Sequence, residues 1–451
     1  MGIARKLISN FQRLLRKRRV MKPPLKAALK LPRIDQAPVN EPHTPINANP
    51  PKENVLMFGW ELPPFNSGGL GVACYEMAKS LNKSGQGVTF VLPERQLIKA
   101  PWMKMLYAPD FKAIGINTSL YPYANQAQYH PISGEPVVAG SHRLIQDVKK
   151  YALAAREIAQ QEKYSVIHAH DWLSYPAGVA AKEVSGKPLI VHVHATEFDR
   201  VGGNNIDPEI YNIEGEGLRQ ADHIIAVSHY TKNKIIEHYH IDAKKISVVH
   251  NGINTDDYQD CTPSTLESFK RAGYKIVLFV GRLTVQKGPD YFIQAAQKVL
   301  LYNPKTIFVM AGSGDMERRL IDDAVRLGIG DKVIFTGFVR GKDLSRLYRS
   351  ADLYVMPSVS EPFGIVALES LAHGVPVLIS KQSGVSEVIN HALKTNFWDV
   401  EDMAQKMIGA LRYPILRKVM QINGSAEVKR TTWDSAAQKM IDIYNRVLSG
   451  S

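Results

Sequence analysis

Beyond Lys52 the chain alternates short, continuous apolar runs with longer segments whose apolar residues recur every three to four positions. The first series of runs is Val55–Trp60, Val88–Leu92, Val166–His170, Leu189–His194, Ile224–Val227 and Ile246–His250. The second is Ile276–Val280, Thr306–Ala311, Lys332–Phe335, Leu353–Met356 and Val375–Ile379. Runs that are apolar at every position describe strands covered on both faces, and the amphipathic stretches between them supply the covering helices. The expected class is α/β, with two doubly wound parallel sheets. Around Asp256–Ser268 the runs give way to Asp, Thr, Pro and Ser, which sets a boundary between an N-terminal domain at 52–258 and a C-terminal domain at 259–430. A last helix, Thr431–Leu448, is amphipathic through Trp433, Ala437, Met440, Ile441 and Tyr444 and needs a partner face that the pattern does not name.

Length agrees with this division, since 451 residues at 45% hydrophobic content suit two cores better than one. Charge changes the picture only at one end. Eleven Lys and Arg and no acid fall between Met1 and Arg33, so the net +13 leaves the rest of the chain near +2. That location argues against a nucleic-acid partner. Ile3, Leu7, Phe11, Leu14 and Leu15 recur among these cations at helical spacing, which describes a basic amphipathic helix able to make peripheral contact with an anionic membrane. A solvated extension is the alternative. Prolines from Pro23 to Pro51 read as a linker, completing a tail and linker at 1–51. No run reaches the roughly 20 apolar residues of a membrane-crossing helix. Cys74 and Cys261 do not make a disulfide framework, and a cytoplasmic location, peripheral at the inner membrane surface if the tail binds there, is expected.

In open parallel sheets ligands bind beyond the carboxyl ends of the strands, so those loops are where chemistry is sought. After the first strand comes Gly68-Gly69-Leu70-Gly71 at a helix start, where bare backbone and free N–H groups suit a phosphate. It matches neither the dinucleotide fingerprint nor the P-loop, and a purely structural turn is its other reading. In the second series Gly281-Arg282-Leu-Thr-Val-Gln-Lys287-Gly288 places two cations near a helix start, where a positive charge is unfavourable unless an anion joins it. A diphosphate meets that description. Glu361-Pro-Phe-Gly364-Ile365-Val366-Ala-Leu-Glu369 sets two carboxylates about one helix entrance, suited to accept from sugar hydroxyls, although Glu369 reads equally as a surface residue. His168-Ala-His170-Asp171-Trp172 and His192-Val-His194 end two strands, each His pair sharing a face. No Cys cluster, H-E-x-x-H or D-x-D accompanies them, so no catalytic metal is expected and the histidines are read as hydrogen-bonding groups.

Together these segments resemble the retaining glycosyltransferases of GT-B fold, particularly family four and the related glycogen and starch synthases. The resemblance runs from about Asn54 to Leu448. Its most specific element is Ser360-Glu361…Glu369, similar to the family's E-x7-E signature, with the Gly281-Arg282…Lys287 segment, Phe308–Gly314 and Val248-Val-His-Asn-Gly252 in the expected order. The resemblance implies two Rossmann-like domains facing a cleft, with the last helix crossing back to the N-terminal, acceptor-binding domain. It implies that Arg282 and Lys287 hold the donor diphosphate, that Glu361 contacts the transferred sugar, and that Glu369 binds the ribose. Gly312, Phe338 and Val339 would border the donor, the last two its nucleobase, while the N–H groups of Gly364, Ile365 and Val366 would meet the phosphates. His170, with His194 nearby, would line the acceptor side. Transfer would proceed with retention and without metal or other cofactor, the donor being ADP-glucose or UDP-glucose and the acceptor a carbohydrate.

Asn66 and Ser67 stand where the best-known bacterial glycogen synthases carry a lysine, which leaves the donor nucleotide open. Three functions follow from the residues: extension of an α-glucan, transfer to a lipid-linked or surface-polysaccharide acceptor, or sugar-nucleotide binding without catalysis. Oligomeric state is not encoded in any of these features.

Overall fold

The computed structural model describes residues 54–65, 68–111, 139–203, 205–255 and 266–450. The basic tail and its linker, Asn66, Ser67, Cys261 and most of the expected domain boundary lie outside these residues.

Two parallel sheets form the core. The first holds β1 (Asn54–Phe58), β2 (Gly87–Leu92), β3 (Lys104–Tyr107), β4 (Val166–His170), β5 (Leu189–Val193), β6 (His223–Ala226) and β7 (Ile246–Val248), in the order β3-β2-β1-β4-β5-β6-β7. The second holds β8 (Lys275–Val280), β9 (Thr306–Ala311), β10 (Val333–Gly337), β11 (Leu353–Met356), β12 (Val377–Ser380) and β13 (Leu393–Thr395), in the order β10-β9-β8-β11-β12-β13. Every named pairing is parallel, which agrees with runs that are apolar at each position. All eleven expected strands are present with ends moved by a residue or two. β3 and β13 were not expected: four and three residues at sheet edges are too short to register as apolar runs.

The chain builds outward from β1 to β3, then returns to the other side of β1 with β4; β8 and β11 repeat this in the second sheet. Each reversal opens a crevice between neighbouring strands whose following helices leave on opposite faces, and such switch points are where doubly wound sheets bind ligands. The molecule therefore has two of them.

Helix Trp433–Ser449 follows the second sheet in sequence but packs on the first. Trp433, Ala436, Ala437, Met440, Ile443 and Tyr444 are buried with Val55, Met57, Ala73 and Met77. At about 1.5–3 kcal/mol for each large apolar side chain fully buried, this face supplies a substantial tie between the two halves. Gly252 lies against the helix start so closely that a Cβ there would fall 2.2 Å from the Trp433 nitrogen.

Candidate active site

Beside the second switch point three glycines end the adjacent strands β8, β9 and β10. The Gly281 N–H donates to Ala311 O at 3.0 Å and the Gly312 N–H to Gly337 O at 2.9 Å. Gly312 has φ +150°, and a Cβ on it would lie 1.8 Å from Gly281 O. No side chain fits between the Gly281 and Gly312 loops, so these strand ends close upon one another, and Gly281 lines a cavity. That cavity is lined by Gly281, Lys287, Ser358, Glu361 and Val366.

Lys287 and Glu361 meet there, Nζ to Oε2 at 2.6 Å, with side chains 19% and 8% exposed. Ser358 Oγ donates to the same oxygen at 3.1 Å. Lys287 sits on a single 3-10 turn, Val285–Lys287, that follows the crossing segment from β8, whereas Glu361 follows β11. The adjacency of β8 and β11 is what brings together residues 74 positions apart. Arg282 donates to Gln286 Oε1 at 2.9 Å, bracing the same loop.

The chain leaves Glu361 through Gly364, whose φ of +105° is open to glycine at little cost, into helix Ile365–Ala372. A Cβ at Gly364 would meet Glu361 Cγ and Met356 Cε, each at 3.1 Å. The first N–H groups of this helix, at Ile365 and Val366, face the end at which a helix carries partial positive charge. Glu369 lies in its second turn; burial pushes its carboxyl up, and the Tyr348 hydroxyl, donating at 3.0 Å, pulls it back. It is a held, half-buried group and not a solvated surface acid. Beyond β10, Phe338 is exposed with the Arg340 guanidinium 5.0 Å from its ring centre, and Val339 packs on the domain core.

The first switch point lies in the other sheet. Gly68 caps helix Gly69–Lys83, and the Gly71 N–H donates to Glu61 Oε1 at 3.4 Å. The helix entrance read from sequence as a phosphate cradle thus already holds a buried carboxylate. His170 ends β4, fully buried, with Nδ1 3.1 Å from His194 Nε2. Burial drives both imidazoles to the neutral form, His194 down to about 3. Asp171 takes φ +58° and accepts from the N–H groups of His194 (2.6 Å) and Ala195 (3.3 Å), fixing the end of β5 against the end of β4. The two sides touch through Ile365, which packs against both domain cores, and through Arg340, which donates to Pro64 O at 3.1 Å.

Comparison with known proteins agrees with this architecture. Residues 67–257 match the model for Glycosyltransferase Family 4 and residues 266–427 that for Glycosyl transferases group 1. An uncharacterized glycosyltransferase of Methanocaldococcus jannaschii is 32% identical over 406 residues, 86% of this chain and 97% of that protein. The chain is a glycosyltransferase of this family. A D-inositol 3-phosphate glycosyltransferase of Segniliparus rotundus is 28% identical over 64% of this chain and 67% of its own length. The glycogen synthase of Mycobacterium tuberculosis is 26% identical over 74% of this chain and 80% of its own length. A sucrose-phosphate synthase structure from Thermosynechococcus elongatus superposes at TM-score 0.70 with 20% identity, covering 89% of this chain and 100% of that one, which supports the GT-B fold.

The glycosyltransferase also has a polar junction that no motif announced. Asp199 of the first domain is fully buried and accepts from Lys234 Nζ at 2.8 Å and from Ser360 Oγ of the second domain at 2.5 Å. Lys234 Nζ also reaches Ser360 Oγ at 2.8 Å, and the Tyr230 hydroxyl lies 3.1 Å from it. Burial would raise the Asp199 carboxyl, but Lys234 and the hydroxyl and N–H donors outweigh it and hold the group below the usual range. Ser228 Oγ donates to Pro362 O at 2.6 Å, and Glu387 accepts from the N–H groups of His229 and Tyr230 at the start of helix His229–Tyr239. Residues 360 and 362 therefore hold the Glu361 loop to the first domain. The one local sign was the cluster Ser358-Val-Ser360 before Glu361; its partners 126 to 161 positions away left no trace in spacing.

Proposed function

We propose that this glycosyltransferase moves a hexosyl group, glucose, from a nucleoside-diphosphate donor to the hydroxyl of an α-glucan, with retention and without a metal ion. The reading is carried by the Lys287–Glu361 pair in the cavity at the second switch point. Lys287 and Arg282 take the donor diphosphate, joined by the N–H groups of Gly364, Ile365 and Val366. With an anion bound, Lys287 is shared between phosphate and Glu361, and Glu361 turns to the hydroxyls of the sugar. Glu369 accepts from the ribose, while Phe338 and Val339 border the base. His170 and His194 line the side from which the acceptor enters, beside Gly68, Gly69 and Gly71, and Gly312 keeps the donor wall thin. As the anomeric C–O bond to the diphosphate breaks, the fixed cations stabilise the charge growing on the leaving group, the term that catalysis needs most. The acceptor oxygen bonds to the same face and its proton passes to the departing phosphate.

The α-glucan acceptor is supported by the glycogen synthase relative and by Trp60-Glu-Leu-Pro-Pro with His-Ala-His-Asp-Trp in the sequence. A second reading, a polyol or lipid-linked acceptor, is supported by the inositol phosphate glycosyltransferase relative and by the basic residues 1–33. Coupled nucleoside diphosphate release, run over ADP-, UDP- and GDP-hexoses with glycogen, maltooligosaccharide or inositol phosphate, separates them. No stimulation by any α-glucan with any donor removes the first reading. No release under any condition, with Lys287→Ala binding donor as the wild type does, removes catalysis itself.

A further inference from the structure

The loop that carries Glu361 is held from both domains. Within the second domain the Glu361 N–H donates to Gln382 O at 3.0 Å, and the Gly384 N–H donates to Glu361 O at 2.9 Å. The Val359 N–H donates at 2.9 Å to the carbonyl of Gln286, in the turn that carries Lys287. The first domain holds the residues on either side of Glu361. Ser360 Oγ meets Asp199, Lys234 and Tyr230, while Pro362 O accepts from Ser228 Oγ. Just beyond Asp199, a Cβ on Gly202 would lie 3.6 Å from Val285 Cγ1 and 3.7 Å from Val359 Cγ1, so this segment also rests against the Lys287 turn and the Glu361 loop.

The hydrogen bonding of Ser360 Oγ is saturated. A hydroxyl has one proton to give and two lone pairs to receive. The Asp199 carboxylate takes the proton on Oδ1 at 2.5 Å, which leaves Lys234 Nζ at 2.8 Å and the Tyr230 hydroxyl at 3.1 Å as donors to the lone pairs. Asp199 Oδ2 accepts from the N–H and the hydroxyl of Thr196, both at 2.8 Å, so the carboxylate is itself fixed. Three directed partners select one rotamer of Ser360 and, through it, one course of the backbone into Glu361. A buried ion pair adds little stability over an apolar contact of the same volume. What this one supplies is direction.

We propose that Asp199, Lys234 and Ser360 are positioning residues for the transfer, holding Glu361 at a fixed place relative to the loop His194–Arg200. The proposal rests on the reading in which Glu361 contacts the transferred sugar and His194 lines the acceptor side. The loop leaves β5 at His194, where Asp171 accepts from the N–H groups of His194 and Ala195, and ends in the short helix Glu197–Arg200. One end is thus tied to the end of β4 and the other, through Asp199, to Ser360. Asp199 and Lys234 bond to Ser360 and not to the Glu361 carboxylate, which Lys287 and Ser358 meet instead. They act on Glu361 through the backbone between residues 360 and 361. A small displacement there moves the carboxylate that must face the sugar, and catalysis is sensitive to placement on the scale of about 1 Å.

Ser360→Ala removes the link and leaves the Asp199–Lys234 bond in place, so the fold should persist. The test is nucleoside diphosphate release by the full chain, with whichever of the ADP-, UDP- and GDP-hexoses supports it, well below each variant's melting temperature. Ser360→Ala should lower kcat by about 10–100-fold and change the donor KM by less than about threefold, since Lys287 and Arg282 still hold the diphosphate. Combined with Glu361→Gln it should cost less than about threefold more, because residues that act as a unit do not add. Tyr230→Phe removes one of the three bonds and no charge, and should lower kcat in the same direction by less. A Ser360→Ala kcat within about threefold of wild type, with Glu361→Gln strongly impaired, overturns the positioning role and leaves Glu361 at the sugar. A lowered melting temperature with kcat unchanged makes the junction structural and overturns it equally. Losses that multiply in the double variant also overturn it, since Ser360 then acts apart from Glu361. Where Ser360→Ala does not fold, an unchanged kcat in Tyr230→Phe does the same. If Glu361→Gln has no effect, or no donor gives release, the underlying reading falls and the proposal with it.

Discussion

Lys234→Met keeps the length and apolar stem of the side chain while removing the cation that neutralises Asp199. Asp199 is fully buried and Lys234 is 16% exposed, so water cannot replace what is lost. Breaking a buried pair by removing one partner costs about 3–5 kcal/mol, because the remaining charge stays uncompensated. At roughly 2–4 °C per kcal/mol for domains of this size, the melting temperature should fall by roughly 6–20 °C. The pH dependence follows from the directions. Asp199 titrates below its unfolded value, so its contribution is present above the ordinary Asp range and lost as pH falls through the folded value. Lys234 titrates above its unfolded value, so its contribution holds below the ordinary Lys range and fades as pH rises through the folded value. In the variant the unpaired carboxyl is raised, takes up a proton on acidification and relieves part of the penalty. The gap between wild type and variant, followed by calorimetry from pH 8 to pH 4, should therefore be widest at neutral pH and narrow toward pH 4. Asp199→Asn with Lys234→Met should recover part of the loss, giving a coupling of at least about 2 kcal/mol in a double-mutant cycle. A melting temperature within about 1 °C of wild type at pH 7, or a gap that widens on acidification, would refute the reasoning.

Lys287→Ala and Glu361→Gln should each lower kcat by about 10²–10³-fold in nucleotide release, the scale for losing one preorganised electrostatic group; less than threefold for both contradicts their placement at the reacting sugar. Gly312→Ala puts a Cβ 1.8 Å from Gly281 O and should lower the melting temperature by several degrees and raise the donor KM; a wild-type melting curve would be inconsistent with the close wall. Gly69→Ala meets nothing within 4 Å and should alter stability by no more than about 1 kcal/mol, so a loss of transfer at unchanged melting temperature assigns the bare position to substrate. Tyr348→Phe removes the bond that pulls the Glu369 carboxyl down, so its donor KM should rise, more steeply as pH falls from 8 to 5; a pH-independent KM ratio removes Glu369 from donor binding.

The sequence by itself determined the two parallel sheets, since apolar runs at every position demand cover on both faces and the intervening amphipathic segments supply it. It also marked Gly281, Lys287, Glu361 and Gly364 as site candidates, because strand-end glycines, cations before a helix and carboxylates at a helix entrance are local conflicts that only a ligand or a special turn resolves. Edge strands of three and four residues escaped it, being too short to carry a pattern. Only the tertiary structure decided that Lys287 meets Glu361, that Glu61 occupies the helix entrance at Gly71, and that Asp199 and Lys234 clasp Ser360. The same holds for the return of helix Trp433–Ser449 to the first sheet. These contacts join residues tens to hundreds of positions apart. Strand order and register fix such distances in space, and periodicity, a property of neighbours along the chain, carries no record of them.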